Sequence, residues 1–280
     1  MEDDETTIFF ISAFVVLIVT PFALGWPVHG LFRRGNAAAG LPLLAAGAAL
    51  AWILFVINYF ADPSVKGIYA LFYVLLGMAL TVGLGFYTPR LYGLRASVDV
   101  HQRKNMAAAM VISSFALATG MIFGGSLWGE ADPVGDDEGG WWIPLGFFLA
   151  GWGILVLASA MYIVGEPVSL RMRLLQNRSV ADASAASSYL LGTAVVLTES
   201  VAGDFWGWSQ GLLGLLVIGC MIITHQLCVH RLPVLITTVE SKTDRWLVRR
   251  QIESMAYAAF AVAFWLLQRG LDRWVTGVDR

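Results

Sequence analysis

The stretch Arg103-Lys104-Asn105-Met106-Ala107-Ala108-Ala109 opens a run, 106–129, that carries no charged side chain. That is longer than the about 20 apolar residues a helix needs to cross roughly 30 Å of hydrocarbon. Two cations stand directly before it, in a connector that also holds Arg90 and Arg95. A helix that starts behind a basic rim and stays apolar afterwards reads as a membrane span whose first end faces the cytoplasm.

Outward from this stretch the same template recurs. Eight runs bounded by charge or turn residues fit it, at about 8–26, 37–61, 67–88, 106–129, 141–165, 183–203, 205–229 and 252–268. The sequence therefore predicts an all-α, polytopic transmembrane bundle of eight helices. Composition agrees: 58% hydrophobic and 14% charged residues in a 280-residue chain do not describe a water-soluble protein. Eighteen basic against 20 acidic side chains leave no cationic surplus, which removes nucleic acid as a partner. Cys220 and Cys228 share one apolar run and cannot make a disulfide framework. The first run follows Glu2, Asp3, Asp4 and Glu5, where a secretory signal needs positive charge, so it reads as a retained helix.

Lys and Arg set the orientation, since basic flanks stay on the cytoplasmic side during insertion. Assigning alternate connectors puts 14 of the 18 bases on one side, among them Arg33, Arg34, Arg90, Arg95, Arg103, Lys104, Arg171, Arg173, Arg178, Arg249 and Arg250. The other side holds the acidic N-terminus and the base-free stretch Glu130, Asp132, Asp136, Asp137 and Glu138. Both termini are therefore expected outside the cytoplasm of a cell inner (plasma) membrane. Trp26, Trp128, Trp141, Trp142, Trp206, Trp208 and Trp274 fall at the expected interfaces, where amphipathic indoles settle.

The opening phrase is repeated. Arg34-Gly35-Asn36-Ala37-Ala38-Ala39-Gly40 precedes it, and weaker copies follow at Arg178-Ser179-Val180-Ala181-Asp182-Ala183 and Arg250-Gln251-Ile252-Glu253-Ser254-Met255-Ala256. Asn36, Asn105, Ser179 and Gln251 are spaced by 69, 74 and 72 residues, which predicts four repeated two-helix units. The phrase reads as a helix start: a short polar side chain accepts backbone N–H bonds, and small residues in the next turn admit a neighbouring helix. Units of two helices keep one orientation, so any symmetry axis should run along the membrane normal, unlike an inverted-repeat transporter.

On these phrases the chain resembles the YjfL-like inner-membrane proteins, a domain-of-unknown-function family, most clearly at 35–60, 105–128 and 192–233. The resemblance implies two tandem four-helix modules, 1–138 and 139–280, and assembly as a homo-oligomer or as a subunit of a membrane complex. It also implies an association with membrane-stress and polyamine-related functions, and it brings no catalytic residues. The second half departs from the phrase, with Ser179 and Gln251 in place of Asn and with acids at Asp182 and Glu253.

Ionisable groups inside apolar runs are functional candidates by default. Asp182 and Glu253 fall in the first turns of their expected helices, where the helix dipole favours an anion. Glu199 lies deeper. At 100° per residue from Asp182, Ser187, Thr198, Ser184, Ser188 and Glu199 project at roughly 140, 160, 200, 240 and 260°, forming one polar stripe. At the matching place in the first half stands Asn58. The stripe has two readings: an interhelical hydrogen-bonding seam, or an outward-opening polar cavity lined by Glu199 and Asn58.

His29, His101, His225 and His230 gather at the expected cytoplasmic level, and His225 and Cys228 stand one helical turn apart. That spacing recurs by chance and no second metal-binding pair accompanies it, so no metal or other cofactor is assigned. Gly120-x-x-x-Gly124 and Gly207-x-x-x-Gly211 read as helix-packing motifs. The stretch 230–250 has five bases interleaved with apolar residues, and is either an interfacial segment on anionic lipid or a solvated connector. No phosphate-cradling loop, His-Glu-x-x-His or Gly-x-Ser-x-Gly pattern occurs, and all three lysines fall in connectors, which excludes a retinal protein. No enzyme is indicated. Two functions stay open: a cation or proton permeation protein, carried by the stripe, and a non-catalytic membrane scaffold or membrane-stress partner, carried by the small-residue faces and the basic rim.

Overall fold

In the computed structural model, which describes residues 3–23, 36–62, 65–129, 140–166, 168–202, 208–230 and 242–276, Asn105 opens a helix as its phrase predicts. Its Oδ1 accepts the Ala108 N–H at 3.2 Å and starts α5 (Met106–Ser126). The described residues form helices and no strand. The chain begins with α1 (Asp3–Phe14), a π-helical turn (Val15–Val19) and α2 (Thr20–Ala23), followed by α3 (Gly40–Tyr59) and α4 (Ile68–Leu80). After α5 come α6 (Trp142–Gly165), the short α7 (Leu170–Leu175), α8 (Val180–Ser200), α9 (Trp208–His230) and α10 (Lys242–Thr276).

Six of these segments are long and apolar enough to cross a membrane: Ala37–Tyr59, Ile68–Tyr92, Met106–Ser126, Trp142–Gly165, Val180–Ser200 and Gly211–His230. Their outward faces carry Leu44, Leu71, Leu157, Val164 and Leu216 exposed, as a lipid solvent requires. At 35 residues, α10 is about 50 Å long and mixes charged with apolar turns.

The helices that follow the repeated phrases lie side by side. The broadest interfaces are α3 with α5, α5 with α8, and α8 with α10. This inner row explains why most of α5 is buried while α6 and α9 are buried over only a minor part of their lengths. Small residues make the row close. A methyl group on Gly120 would lie 2.5 Å from the Ala49 Cβ of α3, one on Gly125 would lie 2.5 Å from the Thr198 carbonyl of α8, and one on Gly192 would lie 3.0 Å from the Tyr257 carbonyl of α10. Gly124 makes room for Trp52, whose Nε1 donates to the Met121 carbonyl at 3.1 Å. The Gly120–Gly124 pair is thus a packing face, while Gly207 lies outside the described residues.

The two central connectors share one backbone pattern, residue for residue. Lys104 and Arg178 adopt left-handed φ values of 52° and 49° immediately before Asn105 and Ser179. The Asn105 N–H reaches back six residues to the Asp99 carbonyl at 2.9 Å, and the Ser179 N–H reaches back six to the Arg173 carbonyl at 3.1 Å. Ser179 then caps α8 through the Asp182 N–H at 3.2 Å. The other two phrases behave differently. Asn36 caps no N–H with its side chain; its amide instead donates to the Val100 carbonyl at 3.2 Å. Gln251 opens no helix, because α10 begins at Lys242 and runs through it, leaving Gln251 exposed. Neither glycine nor proline interrupts the phrase and arginine is a good helix former, so nothing in it stops the helix; Arg249 and Arg250 beside it pair with buried acids.

Several expected features lie outside the described residues: His29, Arg33 and Arg34, the acidic stretch 130–138, Trp206, and 231–241 of the basic connector.

Candidate functional site

Where α6 ends, α7 follows, α8 begins, and α9 and α10 meet, five buried charged side chains gather with a sixth, Arg173, that is half-buried. Glu166 follows the last turn of α6, Arg173 sits on α7, Asp182 in the first turn of α8, and Arg249, Arg250 and Glu253 on α10. Arg250 pairs with all three acids: Nη1 with Glu166 Oε1 at 2.8 Å, Nε with Asp182 Oδ1 at 2.7 Å, and Nη1 with Glu253 Oε2 at 2.5 Å. Arg173 pairs with Glu166 at 2.6 Å and Asp182 at 3.2 Å. Arg249 pairs with Glu253 at 2.9 Å and Glu166 at 3.3 Å. Three carboxylates therefore face three guanidiniums, and the formal charges cancel.

Burial makes this arrangement consequential. The side chains of Glu166, Asp182 and Glu253 are 0% exposed and that of Arg250 is 1% exposed. Desolvating an ion costs several kcal/mol, so such charges persist only when all are paired. The pairing is uneven. Glu166 accepts aligned hydrogen bonds from Arg173, Arg249 and Arg250, whereas neither oxygen of Asp182 accepts one from a described residue despite its two close ion pairs. Burial alone would raise the Glu166 carboxyl, but the Arg250 hydrogen bond and the charges of Arg250 and Arg173 outweigh it and hold the group at about 2.

An aromatic layer adjoins the charges. His225 of α9 stacks on Tyr162 with ring centroids 4.1 Å apart, and its two nitrogens are engaged on opposite sides. Nε2 is 3.1 Å from the Tyr162 carbonyl, an acceptor only, so this nitrogen carries a proton and donates. Nδ1 of the neutral ring then accepts from the Tyr257 hydroxyl at 3.0 Å. Nε2 also lies 3.8 Å from Glu166 Oε1. A proton arriving at Nδ1 would create an imidazolium with a carboxylate beside it. His225 is thus a titratable group wired to a hydroxyl and positioned next to a charge cluster.

Glu166, His225 and Glu253 bring one donor atom each within 4.8 Å of one another, a spacing compatible with a metal ion. The remaining chemistry does not fit one: the same carboxylates hold three guanidiniums, which a cation would have to displace. Cys228 is buried but takes no part in this triad.

The sequence-derived site residues fall in two places. On α8, Ser187 and Thr198 are buried, and neither hydroxyl has a hydrogen-bond partner among the described residues. Ser184, Ser188 and Glu199 are half-buried on the same helix. Asn58 is exposed on α3 and its amide donates to the Leu54 carbonyl of its own helix at 2.7 Å. Between these helices runs α5, with Gly124 against Trp52 of α3 and Gly125 against Thr198 of α8. From the sequence, Asp182 and Glu253 read as separate helix-start acids and Arg173, Arg249 and Arg250 as part of the basic rim, while Glu166 carried no reading. One signal was available, the i,i+3 and i,i+4 spacing of Glu253 from Arg250 and Arg249.

Comparison of this chain with family models, with curated proteins and with solved structures gives no match.

Proposed function

We propose that this chain is a multi-pass protein of the cell inner membrane that passes protons, or another small cation, and that the buried charge cluster forms its cytoplasmic closure. The observation that carries the reading is His225, hydrogen-bonded through both ring nitrogens and 3.8 Å from a carboxylate of a neutral six-charge cluster. Ionisable groups buried in a membrane bundle are functional candidates, because hydrocarbon penalises them otherwise. Along α8, Asp182 and Glu199 are 17 residues apart, about 26 Å, and Ser187 and Thr198 offer hydroxyls between them. On this reading Glu199 receives the cation at the outer end and the cluster opens or closes the inner one.

The reading includes eight crossings as four repeated two-helix units, both termini outside, and two modules at 1–138 and 139–280 as in the YjfL-like proteins. The shared backbone pattern before Asn105 and Ser179 supports duplication of the two central units.

Full-length protein reconstituted in vesicles, with a pH-sensitive dye inside, tests this. Proton flux in the wild type, reduced at least about tenfold in Glu199→Gln and in His225→Phe, is expected. Absent flux, or flux unchanged in both variants, overturns it. The cluster would then be a static latch of a non-catalytic scaffold, the role to which the glycine-lined inner row is also suited.

A further inference from the structure

Beside α7 a cationic cleft adjoins an apolar cavity, which the aromatic layer of Tyr162 and Tyr189 also lines. The cavity, of about 90 Å³, lies between the two halves of the chain and is walled by Leu94, Phe115, Leu190, Tyr189, Tyr92 and Ile163. The cleft, of about 470 Å³, is bordered by Arg90, Arg95 and Arg171. Tyr92, Ile163 and Arg171 line both, so the two spaces adjoin at these residues.

The three arginines differ from those of the buried cluster. All are exposed, and none has an ion pair among the described residues. Each is nevertheless positioned. The Arg90 guanidinium lies 4.0 Å over the Tyr87 ring. Arg95 is fixed at its backbone, where its N–H donates to Asp99 Oδ2 at 2.7 Å. Arg171 lies across Gly93, whose φ of 79° ends the turn Thr88–Tyr92; a methyl group there would be 2.5 Å from Arg171 Nε. Glycine thus serves both the left-handed turn and the close approach of the guanidinium.

Three guanidiniums without an ion pair among the described residues, bordering one cleft beside an apolar cavity, match an amphiphile with an anionic head. We propose that this is a binding site for an anionic phospholipid of the leaflet on the arginine-rich side, with its phosphate among Arg90, Arg95 and Arg171 and a short stretch of acyl chain in the cavity. Guanidinium forks suit phosphate oxygens, and the cavity lining offers an acyl chain an apolar surface. The site requires only that the bundle lies in a membrane, and it stands or falls independently of proton flux.

Native mass spectrometry of the purified full-length protein tests it, with phosphatidylglycerol and phosphatidylcholine of identical chains, and with inorganic phosphate, as probes. Wild-type protein should retain phosphatidylglycerol at least about tenfold better than phosphatidylcholine. The triple variant Arg90→Gln/Arg95→Gln/Arg171→Gln should lose that preference, whereas Arg103→Gln/Lys104→Gln, on the same basic rim, should keep it. Ala186 also lines the cavity, and Ala186→Phe, whose ring would occupy it, should lower retention of both lipids by the folded protein. Equal retention of the two lipids by the wild type overturns the proposal, as does an unchanged triple variant or an equal loss in the rim control. Displacement of phosphatidylglycerol by equimolar inorganic phosphate overturns the assignment to a lipid.

Discussion

The side-chain amide of Asn105 donates to the carbonyl of Leu174 at 2.8 Å, five residues before Ser179, just as Asn36 donates to the carbonyl of Val100, five residues before Asn105. Each asparagine ties its own helix to the connector that leads into the next helix of the inner row. This contact gives the repeated phrase a tertiary role beyond capping. In the third unit Ser179 is too short to reach across, and the tie to α10 is made by Asp182 with Arg250.

Removing the Asn105 amide leaves the buried Leu174 carbonyl and the Ala108 N–H without these partners. Asn105→Ala should destabilise the protein by about 1–3 kcal/mol, the cost of stranding buried polar groups. Asn36→Ala should cost less, because Asn36 is only half-buried and caps nothing. Thermal unfolding of the two variants in the same detergent compares them.

Arg250 is the common partner of all three buried acids, so Arg250→Gln should be the most damaging single change in the cluster. Breaking a buried pair typically costs about 3–5 kcal/mol. Glu166→Gln should cost more than Asp182→Asn, since Glu166 accepts aligned hydrogen bonds and Asp182 has ion pairs alone. Equal losses for the two acids would show that geometry within the cluster is unimportant.

The depressed Glu166 carboxyl, at about 2 against an ordinary 4.5, implies a pH dependence with a definite sign. A carboxylate lowered by folding contributes its full stability above about 4.5, and that contribution is lost as pH falls from there through about 2. The wild-type unfolding midpoint should therefore drop between pH 5 and 3 more steeply than that of Glu166→Gln, with circular dichroism as the readout.

Glycines at helix contacts and glycines facing outward should respond oppositely to substitution. Gly120→Val and Gly125→Val force side chains into Ala49 and Thr198, and overpacking of this kind costs about 1–3 kcal/mol. Gly47→Ala on α3 meets open space and should be neutral or stabilising by up to about 1 kcal/mol. A trypsin-resistance midpoint or a thermal melt distinguishes the two classes.

The hydrophobic runs, the basic connectors and the spacing of Asn36, Asn105 and Ser179 were legible in the sequence because each is a local property. A run long and apolar enough to cross a bilayer announces its helix wherever it sits, and Asn105 and Ser179 cap their helices as short polar residues do. The role of Gln251 was not legible, because its phrase falls inside the long helix α10 and not at a helix start. Asn58 and Glu199 matched by position in the repeat, yet α5 runs between the helices that carry them.

By itself the sequence determined that the chain folds as apolar helices and which residues begin several of them, since chain length, hydropathy and capping act over a few turns. Only the tertiary structure decided that Glu166, Asp182 and Glu253 meet Arg173, Arg249 and Arg250 out of water, with His225 alongside. Those partners are up to 84 residues apart, and a charge is stable in such a place only when distant segments deliver its counter-ions together.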